Sequence, residues 1–97
     1  MATIYYLARN NASNFVIATN GKTAKVYDGN SDGTDCNTGI DLWAEDAVEK
    51  LREEYAKIDG LYSMDDIVRD FGDTFNWDDW CESDDNELIA EIARVEV

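Results

Sequence analysis

The segment VYDGNSDGTDCNTGID, residues 26–41, carries oxygen-bearing side chains at Asp28, Asn30 and Asp32, followed by Gly33. These are positions 1, 3, 5 and 6 of an EF-hand calcium loop, where carboxylate and amide oxygens take a hard cation and glycine permits the sharp turn. The second half of that pattern is missing. Position 12, which closes the coordination sphere with a bidentate glutamate, is Gly39; position 8 is Asp35, and the residues before the loop pattern as a strand instead of an entering helix. Asp35 or Asp41 is left as a replacement oxygen in some other geometry. Asp, Asn, Gly and Ser are also what any tight loop uses, because they accept φ > 0 and bond their own backbone. The segment reads as a loop, with calcium held by Asp28, Asn30 and Asp32 as the alternative function.

Other chemistry is sparse. The chain has no histidine, which removes the commonest general base, the Ser-His and Cys-His nucleophile pairs and the usual zinc ligand. Cys36 and Cys81 are too few for a Cys₄ site and are not spaced as CxxC. Carboxylates beside them disfavour the thiolate, and both are expected to be reduced thiols. The Walker A loop, GxGxxG and GxSxG are absent. Carboxylate pairs are so numerous that none stands out as an acid/base pair, and a chain this short rarely builds the apolar pocket that one member needs. The expectation is a non-enzyme with no cofactor beyond the calcium alternative.

Charge is the outlying property. The 97 residues hold 22 Asp and Glu against 8 Lys and Arg, a net −14. Residues 65–91 contain eleven acids and the single base Arg69, or −10; the other 70 residues hold eleven acids and seven bases, or −4. Such a surface repels nucleic acid and anionic membranes, since phosphate binding needs Lys and Arg to displace counterions, and it attracts cations or basic protein surfaces. The expected partner-binding residues are Asp65, Asp66, Asp70, Asp73, Trp77, Asp78, Asp79, Trp80, Glu82, Asp84 and Asp85, with carboxylates for steering and tryptophans as anchors. A sharper expectation is nucleic-acid mimicry: a folded acidic surface filling the basic groove of a nucleic-acid-binding protein, by analogy with acidic inhibitors carried by phages and mobile elements. The plainer readings are solubility for the charge, helix N-terminal turns for Asp65 and Asp66, and core packing for the aromatics.

The elements that must carry these residues are legible in part. TIYYLAR, NFVIAT and KTAKVYD read as a three-stranded meander, with NNAS as the first turn and Asn20-Gly21 as the second. Taking residues 20–21 as a two-residue loop pairs Phe15 with Val26 and Ile17 with Ala24. A four-residue loop at 10–13 adds Tyr6 and Ala8 to that face. The opposite face, Tyr5, Leu7, Val16 and Ala18, is unusually apolar for a solvated side and is expected to be covered by the chain's own elements. Residues 41–60 predict a helix capped by Asp41, with Ala44, Val48, Leu51, Tyr55 and Ile58 as its apolar stripe and Gly60 as its stop. Ser63 and Asp66 resemble a capping box opening a second helix with Met64, Ile67, Val68 and Phe71 inward and Gly72 at its end. Residues 73–86 read as irregular or a short helical turn. Residues 88–97 suit a helix or a strand, and the strand is preferred as a fourth member closing the sheet.

One domain over residues 1–97 is expected, of class α+β: an antiparallel sheet packed on two helices. MATIYYLARNN lacks the basic and apolar regions of a signal peptide, and no apolar run approaches a membrane span of roughly 18 residues. The cytoplasm is the expected compartment.

Overall fold

The computed structural model describes residues 2–27, 30 and 32–96, with the side chain of Phe71 left out of the description. Its elements are β1 (Thr3–Arg9), β2 (Asn14–Thr19), β3 (Thr23–Tyr27), α1 (Ala47–Lys57), α2 (Met64–Phe71), β4 (Phe75–Asn76), α3 (Trp77–Glu82) and β5 (Glu87–Val95). The strands form one antiparallel sheet in the order β4-β3-β2-β1-β5. The class is α+β, the meander forms, and the C-terminal segment is a strand, paired with β1 from Thr3↔Val95 to Arg9↔Glu87. Two register shifts, at Tyr5/Tyr6 and Leu7/Ala8, interrupt that ladder. Among the described residues no helix is long and apolar enough to cross a membrane.

The strands alternate, yet both faces are apolar. Tyr5, Leu7, Val16, Ala18 and Tyr27 point to one side and meet Leu42, Ala47, Leu51 and Tyr55 of α1 and its lead-in, together with Met64 and Ile67 of α2. Ala8, Phe15, Ile17 and Ala24 point to the other side and meet Tyr6, Phe75, Trp77 and Trp80. The larger core therefore lies on the Tyr5 face, which the sequence left in need of a cover, and the chain's own helices supply it. A third helix, α3, covers the second face where an irregular stretch or single turn is predicted.

The β2–β3 turn sits one residue later than the sequence reading, which shifts the strand pairing by two. The ladder pairs Thr19 with Ala24 and Ile17 with Val26, so Gly21 and Lys22 are the central pair and Asn20 is the corner. Only glycines take positive φ among the described residues, Gly21 at 91°, the requirement of a II′ turn at its first central position. Asn20 Oδ1 accepts from the backbone N–H of Lys22 at 3.0 Å and of Thr23 at 2.9 Å, which holds it at the corner. A slip of two preserves the faces, because side chains repeat every second residue.

The first helix also starts later than predicted. Residues 41–46 are turns: Asp41 Oδ1 accepts from the Trp43 N–H at 2.9 Å, Asp41 bridges to Thr34, and the Leu42 N–H donates to Gly33 O at 3.1 Å. The bridge pulls Leu42 under the sheet, so the helical pattern is obeyed only from Ala47 onward. Asp46 pairs with Lys50 at 3.2 Å and Glu53 with Lys57 at 3.7 Å, the two i,i+4 pairs that the spacing permits. On α2 the capping box is present in both directions: Asp66 N–H donates to Ser63 Oγ, and Ser63 N–H to Asp66 Oδ2. Val68, placed inward by the sequence stripe, is exposed.

Beneath residues 32–41 lies a polar network that runs from the surface to a buried carboxylate. Tyr27 donates to Asn37 Oδ1 at 3.0 Å, Asn37 Nδ2 donates to Tyr55 Oη at 3.1 Å, and Tyr55 donates to Asp35 Oδ1 at 3.2 Å. Thr38 donates to Asp35 Oδ2 at 2.7 Å. Asp35 is fully buried, and burial raises its carboxyl above the ordinary range despite these bonds. Asp35→Ala leaves two hydroxyls without an acceptor and is expected to cost ~2–4 kcal/mol, read as a lower urea midpoint at unchanged slope. Because the folded carboxyl is raised, its stabilisation is complete below the unfolded value of about 3.9 and declines as pH rises through the folded one. Asp35→Asn, uncharged throughout, flattens that decline in urea midpoints measured across the acidic range.

Candidate functional site

The acidic residues 65–85 do not form one face. β4 and β5 are opposite edges of the sheet, so the chain rounds the β4 edge after α2 and crosses the second face through α3. Asp65, Asp66 and Asp70 ride on α2 over the Tyr5 face; Asp78, Asp79 and Glu82 ride on α3 over the Phe15 face; Asp73 lies between, and Asp84 and Asp85 sit in the turn into β5. The acidity wraps an edge of the sheet.

Its members also differ in what they already hold. Asp66 is an acceptor of the capping box, and bonds from Ser63 together with the charge of Arg69 keep its carboxyl below the usual range. Arg69 spans Asp66 at 3.1 Å and Asp70 at 3.0 Å. Asp65, Asp73, Asp78, Asp79, Glu82, Asp84 and Asp85 are exposed and make no ion pair with Lys or Arg among the described residues. These seven carboxylates are the unneutralised part of the predicted set.

Trp77 and Trp80 are half-buried. Trp77 stacks on Tyr6 with centroids 5.8 Å apart, Trp80 stacks on Trp77 at 5.5 Å, and Phe15 meets Trp80 edge-on at 6.3 Å. Asn76 caps α3 by accepting from the Asp79 N–H at 3.0 Å, and the Trp77 N–H donates to Lys22 O at 3.0 Å. The two indoles are thus packing for the second face before they are anything else. Cys81, on the same helix, is exposed, and partial burial with Asp78 nearby raises its thiol.

In the calcium-like loop, Asp28 lies outside the described residues. Asp32 Oδ1 accepts from the Thr34 N–H and hydroxyl at 3.1 and 2.7 Å, and Asn30 donates to the Thr34 hydroxyl at 3.1 Å. Asp35 is turned inward and Asp41 caps Trp43. Among the described residues no group of three or more Asp, Glu, Cys or His is arranged to hold a metal ion.

A feature the sequence reading passed over lies beside this loop. Trp43, 58% exposed, rests its indole against Gly33, where an added Cβ would meet the ring at 3.0 Å. With Phe15, Val26, Asp32, Phe75 and Trp80 it lines a groove of about 630 Å³. Its only trace in the sequence is an aromatic residue off the Ala44–Ile58 stripe. No family model, curated protein or solved structure matches the chain.

Trp80→Ala is expected to cost ~2–3 kcal/mol, reduced from a full core truncation by its partial exposure. Asp78→Asn and Glu82→Gln are expected to stay within about 0.5 kcal/mol of the parent, all read from urea midpoints. Gly33→Ala, strained by φ of 88° and crowded by Trp43, is expected to lose ~1–2 kcal/mol.

Proposed function

We propose that this domain is a non-catalytic protein-binding module that engages a basic partner surface through the acidic segment 65–85. The observation that carries this reading is the set of seven exposed carboxylates, Asp65 through Asp85, that lack an ion-pair partner among the described residues while Arg69 serves only Asp66 and Asp70. A field of one sign with no internal compensation steers an oppositely charged partner and raises its association rate. Placement around the sheet edge suits a partner that cups the β4 side, as a basic groove that ordinarily holds a phosphate backbone would. Nucleic-acid mimicry is the strongest form of this proposal.

The experiment is capture by the immobilised chain at low and high salt, with mass spectrometry of the bound proteins and duplex DNA as competitor. A nucleic-acid-binding protein held at low salt, released by duplex DNA, and lost when Asp65, Asp73, Asp78 and Asp79 become Asn and Glu82 becomes Gln is the expected result. The association rate should fall about tenfold or more between low and high salt. Binding that ignores both salt and the five substitutions overturns the proposal.

A further inference from the structure

Building on the basic-partner reading, we propose that the groove beside residues 32–34 is the receptor for an arginine side chain of that partner, with the guanidinium laid on the Trp43 indole and paired to the Asp32 carboxylate. Three observations converge on this occupant. The first is charge: among the described residues Asp32 is the one ionisable group lining the groove, and no Lys or Arg lines it, on a chain of net −14. A cation entering there meets no positive charge among the described residues.

The second is the carboxylate itself. Asp32 spends Oδ1 on Thr34, and those bonds hold its carboxyl below the usual range, so it is ionised across ordinary pH. Its Oδ2 makes no hydrogen bond among the described residues. An ionised acceptor with an oxygen left over suits a ligand made only of donors, and guanidinium offers five and no acceptor.

The third is the indole. Trp43 is the most exposed large apolar side chain described, at 58%, yet it is not loose. Its backbone N–H donates to Asp41 Oδ1, the neighbouring Leu42 N–H donates to Gly33 O, and the ring sits so close to Gly33 that an added Cβ would meet it at 3.0 Å. A pre-positioned aromatic face next to a carboxylate is a place for a planar cation within about 6 Å of the ring. Arginine fits it better than lysine, because guanidinium stacks flat and is less strongly hydrated. The groove, about 630 Å³, leaves room for the residues flanking the arginine, with Phe75 and Trp80 as their apolar floor.

The test uses the ¹⁵N-labelled chain, whose three tryptophans give three distinguishable indole N–H signals, titrated with hexa-arginine and with hexa-lysine at low and moderate salt. Hexa-arginine is expected to shift the Trp43 indole and the amides of residues 32–34 and to bind about tenfold tighter than hexa-lysine. Trp43→Ala, at an exposed position, should bring the two affinities together while both peptides still bind. Asp32→Asn, which keeps the Oδ1 acceptor for Thr34, should weaken hexa-arginine in the same way. Equal affinities in the parent, or shifts confined to α2 and α3, overturn the groove while leaving the acidic-surface reading standing. No binding of either peptide at low salt overturns both.

Discussion

Tyr5, Leu7, Val16 and Ala18 on one side of the sheet, and Ala8, Phe15, Ile17 and Ala24 on the other, leave β1 and β2 without a face that water can wet. Apolar surface of this extent must be covered twice, and a chain of 97 residues has few segments with which to do so. α1 and α2 cover the Tyr5 side with a conventional helical layer. The second side is covered by six residues of α3, which suffice because two of them are tryptophans. The stack of Tyr6, Trp77 and Trp80 with Phe15 edge-on concentrates a large buried area into one short crossover. The wetted side of that crossover is then left to Asp78, Asp79 and Glu82.

This arrangement decides where the acidity goes. A run of carboxylates that is continuous in sequence is divided by the sheet it packs against, because α2 and α3 lie on opposite faces and turn around β4. Charges on the two helices act together on a partner that reaches around the edge, and separately on one that approaches a single face. The segment's inward residues, Met64, Ile67, Phe75, Trp77 and Trp80, are what fix the outward positions of its aspartates.

Much of this was legible from residue types. Alternation in TIYYLAR and NFVIAT assigned side chains to faces correctly, and a turn misread by one residue did no damage because it shifts the pairing by two, the period of a strand. The Ser63/Asp66 box was readable because it is local: both partners lie within one turn. What escaped the sequence was long-range. The start of α1 is set by the Thr34–Asp41 bridge and by Leu42 reaching under the sheet, neither of which appears in the helical periodicity of residues 41–60. Asp35 looked like one more polar loop residue, and its burial depends on Tyr55 arriving from twenty positions downstream. Trp43 gained its position from a glycine ten residues earlier. For the same reason the acidic run was visible as composition while its division between two faces was not.

The pairing of β1 with β5 has a kinetic side. The second strand to flank β1 is residues 87–95, so the ladder from Thr3↔Val95 to Arg9↔Glu87 closes a loop of nearly the whole described chain. Closing so long a loop carries an entropic cost that must be met before its contacts give anything back. During synthesis, the β1–β2–β3 meander is complete early but carries a bare edge along β1 and two uncovered apolar faces. It waits through the translation of about 60 further residues for its last strand, at some 5–20 residues per second. The meander itself, residues 1–27, holds no Asp or Glu and three bases, so through those seconds its apolar faces carry no acidic charge of their own, and the acidity that marks the finished molecule arrives only with the later segments.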